Sequence, residues 1–236
     1  MKTTPKIIEL VGPAGAGKST LARALAERYE NAARRFQPYW RDPRQIPYFA
    51  RNTLASLPAF AELLSHRDGK RLGRDEVAWV VNLHGWQRSL PRSATKGEEF
   101  LFIDQGAISI LTVTHLDGTG VLSGSGADRW RSTMYREWAN VLDMVIWLDA
   151  PNSVLVPRIR TRPQSHCVKE KSDATAFTHL DRFREAYAQA FAVMTAERRD
   201  LNILRLDTGQ LSLDEECDRV SGVLGLKPRE RPDGSH

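Results

Sequence analysis

Short apolar runs alternate along this chain with longer segments of mixed polarity. Such runs are typical of strands buried on both faces of a parallel sheet, and helical spacing between them predicts crossover helices. We predict five strands, at residues 6–11, 35–40, 100–104, 144–148 and 202–206. Pro38 must then lie at a strand end, because proline has no N–H to donate to a ladder. The pattern predicts an α/β fold with a doubly wound, parallel five-stranded sheet and helices on both faces.

The clearest helical pattern lies between the last two predicted strands. Its members recur at spacings of three and four: Phe177, Leu180, Arg184, Tyr187, Phe191 and Met194. The Gly/Ser-rich residues 117–126 are expected to form a flexible excursion, since predicted strands of one sheet lie on either side. With 236 residues and 41% hydrophobic content, the chain suits one domain over 1–226. The polar, proline-containing residues 227–236 predict a disordered tail.

Composition narrows the class of protein. The 34 basic and 29 acidic residues are interspersed without a long basic run, so nucleic acid is not an expected partner. Cys167 and Cys217 have no paired metal-ligand spacing, which argues against a disulfide scaffold or structural zinc and fits a reducing cytoplasm. About five polar residues precede the first strand, too few for a signal peptide. No apolar run approaches the ~20 residues of a membrane span. We therefore expect a cytoplasmic protein without a membrane partner.

Residues 12–19 read Gly-Pro-Ala-Gly-Ala-Gly-Lys-Ser and match the pattern G-x-x-x-x-G-K-[ST] in full. An apolar strand precedes the motif and a helical run, 20–28, follows it, so an ordinary glycine-rich turn is the weaker interpretation. Backbone N–H groups of such a loop and of the helix N-terminus face a polyphosphate. The expected phosphate contacts are Gly12, Pro13, Ala14, Gly15, Ala16, Gly17, Lys18, Ser19 and Thr20.

The motif also assigns roles to two side chains. Lys18 is expected to reach the β- and γ-phosphates, and Ser19 to ligate Mg²⁺. Asp104 ends the third predicted strand, where an acid beside the phosphate loop serves the metal or the attacking nucleophile. A helix cap or turn is the alternative role for Asp104, and it is the favoured one for Asp149. The expected cofactors are ATP and Mg²⁺, although no motif distinguishes ATP from GTP.

Three arginines, Arg158, Arg160 and Arg162, follow a short predicted helix. Guanidinium groups suit the charge that builds up during phosphoryl transfer, and a mobile arginine lid also excludes water. A solvated basic helix end is the alternative. Residues two apart on a helix point to different faces, so the three cannot all reach one phosphate from a regular helix. Arg162 precedes Pro163, which favours extended backbone, and is the best candidate for entering the site from a lid over about 158–172.

These features together resemble the deoxynucleoside kinase and thymidylate kinase group of P-loop kinases. The resemblance rests on the phosphate loop, the strand-ending Asp104, the run 145–151 and the arginines that follow it. It implies a nucleotide-kinase-like P-loop fold with Lys18, Asp104, Arg158 and Arg162 as catalytic residues, and related kinases often dimerise, so a homodimer is an open alternative.

The chain departs from this group at three places. Gln105 replaces the arginine that follows the acid, Gln37 replaces a glutamate base, and Pro163-Gln164 replaces a small residue and a second arginine. Glutamine cannot accept a proton, so Asp104 or Asp42 remains for that role.

The acceptor site is expected around residues 79–88, which precede the third strand and face the acceptor in related kinases. Candidate contacts are Gln37, Trp40, Asp42, Asn82, His84, Trp86, Gln87 and Arg88. Hydrogen bonding and ring stacking are the chemistry these side chains offer, whereas core packing or an exposed helix face is the alternative. Residues 206–209 are expected either under the donor adenine or in an ordinary turn.

We therefore predict a kinase that transfers the γ-phosphoryl group of ATP, with Mg²⁺, to a hydroxyl or phosphate oxygen of a small molecule. The acceptor stays open among nucleosides, nucleotides, sugars, antibiotics and other metabolites. Two alternatives remain. One is a P-loop ATPase or switch that couples hydrolysis to a partner, and the other is a nucleic-acid 5′-end kinase, suggested by the net charge of +5 alone.

Overall fold

A computed structural model describes residues 4–66 and 69–229. Five parallel strands form one sheet in the order β2-β3-β1-β4-β5. Their bounds are β1 Lys6–Val11, β2 Ala32–Arg35, β3 Phe100–Asp104, β4 Met144–Asp149 and β5 Asn202–Asp207. The strands leave β1 first to one side and then to the other, which is the doubly wound topology. The predicted fold class is confirmed.

The second strand does not lie where the sequence pattern predicted it. It covers Ala32–Arg35, and residues 36–39 have no regular structure. Ala32 pairs with Phe100 of β3 in the parallel ladder, and both alanines of the strand are buried. Phe36 and Tyr39, by contrast, are 62% and 57% exposed. The apolar character of residues 36–40 therefore reflects surface aromatics, while small buried alanines form the strand.

Nine helices occur within the described residues. They are α1 Lys18–Arg28, α2 Ile46–Ala55, α3 Leu57–Ser65, α4 Arg74–Ser89, α5 Ala107–Leu116, α6 Asp128–Ala139, α7 Asn152–Thr161, α8 Asp173–Glu197 and α9 Leu213–Leu224. Two buried apolar clusters occupy the two faces of the sheet: α1, α7 and α9 contribute to one, and α3 to α6 to the other. Helix α8 contributes to both and confirms the long predicted helix. Within the part of the chain that the structure describes, no helix has the length and apolar character needed to cross a bilayer.

Two segments expected to be irregular are folded. Residues 117–126 contain two 3₁₀ turns, Val121–Ser123 and Ser125–Ala127, and Val121 and Leu122 are buried. The buried carboxylate of Glu76 on α4 accepts the Leu122 N–H at 2.9 Å, which compensates the backbone of this glycine-rich stretch.

The first part of the predicted tail is also ordered. The Lys227 N–H donates to Asn31 Oδ1 at 3.0 Å, and the Arg229 N–H donates to the Arg28 carbonyl at 2.7 Å. Residues 230–236 lie outside the described residues, so the prediction of disorder stays untested there.

Candidate active site

The phosphate loop connects β1 to α1 and depends on two glycines. Gly12 has φ +148°, and a Cβ there would lie 2.0 Å from the Leu148 carbonyl oxygen of β4. Gly15 has φ +83°, and its Cβ would lie 3.0 Å from the Leu155 carbonyl oxygen. Any other L-residue would strain the backbone and push the loop away from the sheet. The loop can therefore wrap tightly beside the carboxyl end of the sheet.

Lys18 is the first residue of α1 and folds back over the loop. Its Nζ donates to the carbonyl oxygens of Gly12 at 2.8 Å and Pro13 at 2.9 Å. Burial lowers the pKa of Lys18 to about 8; the charge of Asp104 opposes this shift and that of Arg162 adds to it. A cation held in a desolvated loop gains most from a bound anion, because the anion restores the lost solvation.

The helix N-terminus adds backbone donors to the loop. The first N–H groups of α1 have no partner within the helix, and its N-cap Gly17 makes no side-chain cap. Seven of the nine predicted phosphate contacts line one cavity: Gly12, Ala14, Gly15, Gly17, Lys18, Ser19 and Thr20. Pro13 and Ala16 are buried behind the loop instead. These donors fit the phosphates of a nucleoside triphosphate.

The cavity has a volume of about 1110 Å³. It extends from the phosphate loop past the end of β3 to the inner faces of α5 and α8. Oxygen donors of Ser19 and Asp104 both lie in its wall, and hydroxyl and carboxylate oxygens are the ligands that Mg²⁺ prefers. The cavity is larger than a phosphate site needs, so there is room for a second molecule beside a nucleotide.

Asp104 ends β3 as predicted and is 5% exposed. Its Oδ2 pairs with Arg34 Nη2 at 2.7 Å, whereas its Oδ1 is buried without a hydrogen-bond partner. Arg34, on β2, also stacks on the Phe36 ring with 4.3 Å between the guanidinium carbon and the ring centroid. An unpaired buried carboxylate oxygen is costly and leaves Asp104 with capacity for a metal ion or a proton. Sequence reasoning missed Arg34.

Gln105 follows Asp104 and has φ +64°, which for a non-glycine residue is a strained, left-handed conformation. The strain lies at the turn from β3 into α5, and Gln105 lines the cavity. The position where the kinase group carries an arginine thus faces the site in this chain as well, with an uncharged amide instead of a cation.

Two of the three predicted arginines, Arg158 and Arg162, line the cavity, and Arg160 does not. Arg158 on α7 donates to Thr208 Oγ1 at 3.0 Å and to the Thr208 carbonyl at 2.8 Å. Arg160 donates to the Lys171 carbonyl at 2.8 Å and pairs with Asp173 at 2.7 Å, outside the cavity. Arg162 lies just beyond α7 with extended backbone, φ −72° and ψ 144°, and lines the cavity. The predicted departure of Arg162 from helical geometry is confirmed.

The loop after β5 also reaches the cavity. Thr208 and Glu216 line it. Arg158, which also lines the cavity, joins α7 to this loop through its hydrogen bonds to Thr208. Burial raises the pKa of Glu216 to about 7, and the charge of Arg158 opposes the shift. The predicted adenine loop therefore lies at the cavity wall. Asp149 lies elsewhere: Arg184 Nε donates to its Oδ2 at 2.8 Å, and Asp149 Oδ1 accepts the Ala150 N–H, consistent with the structural role expected for it.

The candidate acceptor residues are mostly outside the cavity. Gln37 lines it and accepts from Asn82 Nδ2 at 3.3 Å. Trp40 donates instead to Asp75 Oδ1 at 2.9 Å, and Asp42 caps a 3₁₀ turn by accepting the Arg44 N–H at 3.0 Å. Asp42, a candidate proton acceptor in the sequence, is therefore not among the residues that line the cavity.

Helical periodicity explains the remaining misplacements on α4. His84 lies near Trp130 of α6, Gln87 donates to Glu137 of α6, and Arg88 is exposed. Trp86 is also core, packed on Trp138. The α4 side chain in the cavity wall is Trp79, five residues before His84, because only one face of a helix can point into the site.

Other cavity residues were missed because they come from separate helices. Ser109 and Val113 belong to α5, and Phe183 and Tyr187 belong to α8. The helical spacing of α8 identified its apolar residues but gave no sign that some of them face a ligand. The residue pattern within one segment cannot predict a cavity wall that several segments build together.

Glu9 is the buried acid that supports this wall. It lies in the middle of β1, fully buried, and its two carboxylate oxygens accept the N–H groups of Ile108 at 3.1 Å and Ser109 at 3.0 Å. Burial raises the pKa of Glu9 to about 7, and the hydrogen bonds oppose this shift. Glu9 therefore caps the N-terminus of α5 and fixes the helix that carries Ser109. The signal in the sequence for this buried role was a single acid, Glu9, within the apolar run 6–11.

Similarity to known proteins is detectable in the fold. No protein-family model matches the chain, and no curated protein matches it in sequence. The structure of thymidylate kinase from Candida albicans aligns with a TM-score of 0.52 and 14% identity, over 95% of this chain and 93% of that one. NadR protein in complex with NR aligns with a TM-score of 0.52 and 18% identity, over 97% of this chain and 52% of that one.

Deoxyadenosine kinase from M. mycoides with bound dATP aligns with a TM-score of 0.46 and 15% identity, over 92% of this chain and 98% of that one. The present chain spans about half of the NadR protein but nearly all of thymidylate kinase. The class defined by the sheet order and the phosphate loop is that of P-loop proteins. More particularly, the chain has a nucleotide-kinase-like P-loop fold.

Proposed function

We propose that this protein is a phosphotransferase that uses ATP and Mg²⁺ to phosphorylate a small-molecule acceptor. The observation that carries the proposal is the continuity of the cavity. One continuous cavity, partly open to solvent, is lined by the phosphate loop, Asp104 and Arg162 and also by Trp79 of α4 and Tyr187 of α8, which leaves room for a second compartment beside the phosphates. A kinase needs such a compartment, whereas an ATPase needs room only for water.

The residues divide the chemistry between them. ATP supplies the phosphoryl group and Mg²⁺ offsets phosphate charge, and Ser19 and Asp104 would hold the ion. Lys18 and Arg162 stabilise negative charge on the transferring group, because both cations reach the phosphate-loop end of the cavity. Asp104 is the leading proton acceptor, since its Oδ1 has no partner within the described residues.

The acceptor compartment combines aromatic side chains with few polar groups. Trp79, Phe183 and Tyr187 offer ring faces or edges, and Gln37, Gln105 and Ser109 offer hydrogen bonds. This composition suits a ring-bearing acceptor such as a nucleoside or nucleotide. Thymidylate kinase, to which the fold is similar, acts on a molecule of this kind by its name.

The proposal is tested by incubating the protein with ATP, Mg²⁺ and pooled candidate acceptors and searching by mass spectrometry for a product gaining one phosphoryl group. We expect such a product with the natural sequence and about 10²- to 10³-fold slower formation of it with Lys18→Ala. ATP turnover in the absence of any acceptor should be slow. If ADP forms at the same rate with and without every acceptor pool, the protein is an ATPase. If DNA or RNA ends are the sole products, it is a nucleic-acid kinase.

A further inference from the structure

A histidine, a cysteine and a second histidine meet at the lid. His166 and Cys167 lie in the loop between α7 and α8, and His179 lies on α8. Cys167 Sγ is 3.5 Å from His179 Nε2 and 3.8 Å from His166 Nδ1. All three donor atoms lie within 4.8 Å of one another, and the described residues contain no other such group of three.

A carboxylate lies beside this cluster. Asp117, which ends α5, has its Oδ2 3.8 Å from His179 Nε2. Asp117, His166, Cys167 and His179 all line the cavity. The two imidazoles and the thiol supply three of the four ligands of a tetrahedral transition-metal site, and the fourth position is left to Asp117 or to water.

The separations match those of tetrahedral coordination. Zinc bonds of about 2.3 Å to sulfur and about 2.05 Å to nitrogen at the tetrahedral angle place the two ligands about 3.6 Å apart. The two sulfur–nitrogen distances found, 3.5 and 3.8 Å, lie on either side of this value. Thiolate and imidazole ligands favour Zn²⁺ and similar ions over Mg²⁺, which prefers oxygen.

Metal binding requires two changes in this loop. The Val168 N–H donates to His166 Nδ1 at 3.3 Å, and this hydrogen bond must break before the Nδ1 lone pair can bind an ion. The Cys167 thiol must also give up its proton to bind as a thiolate.

We propose that His166, Cys167 and His179 bind one Zn²⁺-like transition-metal ion, with Asp117 or water as the fourth ligand, and that the ion fastens the lid to α8. Arg162 lies four residues before His166, so an ion held there restricts the segment that carries this arginine over the cavity. The site is distinct from the Mg²⁺ position proposed at Ser19 and Asp104. In the sequence, the lack of paired spacing between the two cysteines argued against structural zinc. That argument does not detect this site, because only Cys167 takes part and His179 comes from α8.

The site is tested by titrating the metal-free protein with Zn²⁺ and with Co²⁺ in the absence of nucleotide, so the outcome does not depend on kinase activity. We expect one equivalent of metal to bind and Co²⁺ to give a thiolate charge-transfer absorption. Cys167→Ser should abolish that absorption, and His179→Ala should weaken Zn²⁺ binding about 10²-fold or more, since even loss of a supporting residue costs 10- to 100-fold. Cys217→Ala and His66→Ala, of matched residue types outside the cluster, should bind as the natural sequence does.

Equal Zn²⁺ affinity in all variants, or binding only at millimolar concentrations, would overturn the site. Persistence of the Co²⁺ absorption in Cys167→Ser would do the same. Thermal unfolding checks that each variant is folded. If His179→Ala does not fold, Cys167→Ser by itself tests the metal site. Amide hydrogen exchange of residues 163–171 measures the fastening: Zn²⁺ should slow it in the natural sequence and not in Cys167→Ser. Unchanged exchange in a metal-bound natural protein would refute the link to the lid.

Discussion

The proposed phosphate-binding end of the cavity is built from consecutive residues of one loop and one helix, whereas the proposed acceptor end draws on α4, α5, α8 and the segment after β2. At the first end, backbone conformation shapes the cavity wall, as the φ angles of Gly12 and Gly15 show. At the second end, side chains from distant positions in the sequence, such as Trp79 and Tyr187, form the wall. A site made of backbone leaves a local sequence motif, and a site made of dispersed side chains does not.

The largest effect is expected at the phosphate end. Lys18→Ala should leave the fold intact, weaken triphosphate binding and slow phosphoryl transfer by about 10²- to 10³-fold, because it removes the cation that follows the transferring charge. Nucleotide titration and steady-state transfer to the acceptor found in the screen measure the two quantities. Undiminished transfer would contradict the assignment of this end to catalysis.

The lid arginines provide the next test, with a matched pair. Arg162→Ala should slow transfer by about 10²-fold while nucleotide affinity without acceptor changes little, as expected for a group engaged mainly in the transition state. Arg160→Ala should be nearly silent, since Arg160 bonds to Lys171 and Asp173 outside the cavity. Single-turnover rates and nucleotide affinities of both variants decide the matter. A severe Arg160→Ala with a silent Arg162→Ala would reverse the assignment.

A smaller effect is expected at the acceptor end. Trp79→Ala should raise the KM for the acceptor about 10-fold and leave the KM for ATP unchanged, because the lost ring contacts serve only one of the two substrates. Trp40→Ala is the matched control, since Trp40 bonds to Asp75 away from the cavity. Initial rates at varied acceptor and ATP concentrations separate these effects. If Trp40→Ala raised the KM for the acceptor more than Trp79→Ala does, the acceptor would bind beside Trp40, as the sequence first predicted.

The smallest effect on turnover, but a distinct one on stability, is expected beneath the acceptor wall. The pKa of Glu9 is raised from 4.5 to about 7, so its favourable contribution is fully present below pH 4.5 and is lost as pH rises through 7. The natural protein should therefore lose up to about 3 kcal/mol of unfolding free energy over this range relative to Glu9→Gln.

Urea unfolding at a series of pH values measures this difference. Glu185→Gln, at an exposed position of α8, should keep the pH dependence of the natural protein. Parallel curves for the natural protein and Glu9→Gln would show that folding does not raise the pKa of Glu9.

The apolar runs and the glycine-rich octet determined much of this protein by themselves. Continuous apolar strands predict a parallel sheet because both of its faces are covered, and the octet predicts a phosphate loop because consecutive backbone conformations are written in consecutive residues. The extended backbone of Arg162 also followed from its neighbour Pro163. In each case the deciding interaction is local in the chain.

Only the tertiary structure decided which side chains share the cavity. It placed Trp79 in the wall and His84 against α6, although both lie in one helix. It also brought Cys167, in the loop before α8, to 3.5 Å from His179, twelve residues later on α8. Contacts of this kind depend on how helices rotate and pack across the sheet, which the periodicity of any one helix does not specify. For the same reason the sequence predicted the phosphate loop but not the proposed acceptor and metal sites, whose residues come from separate elements.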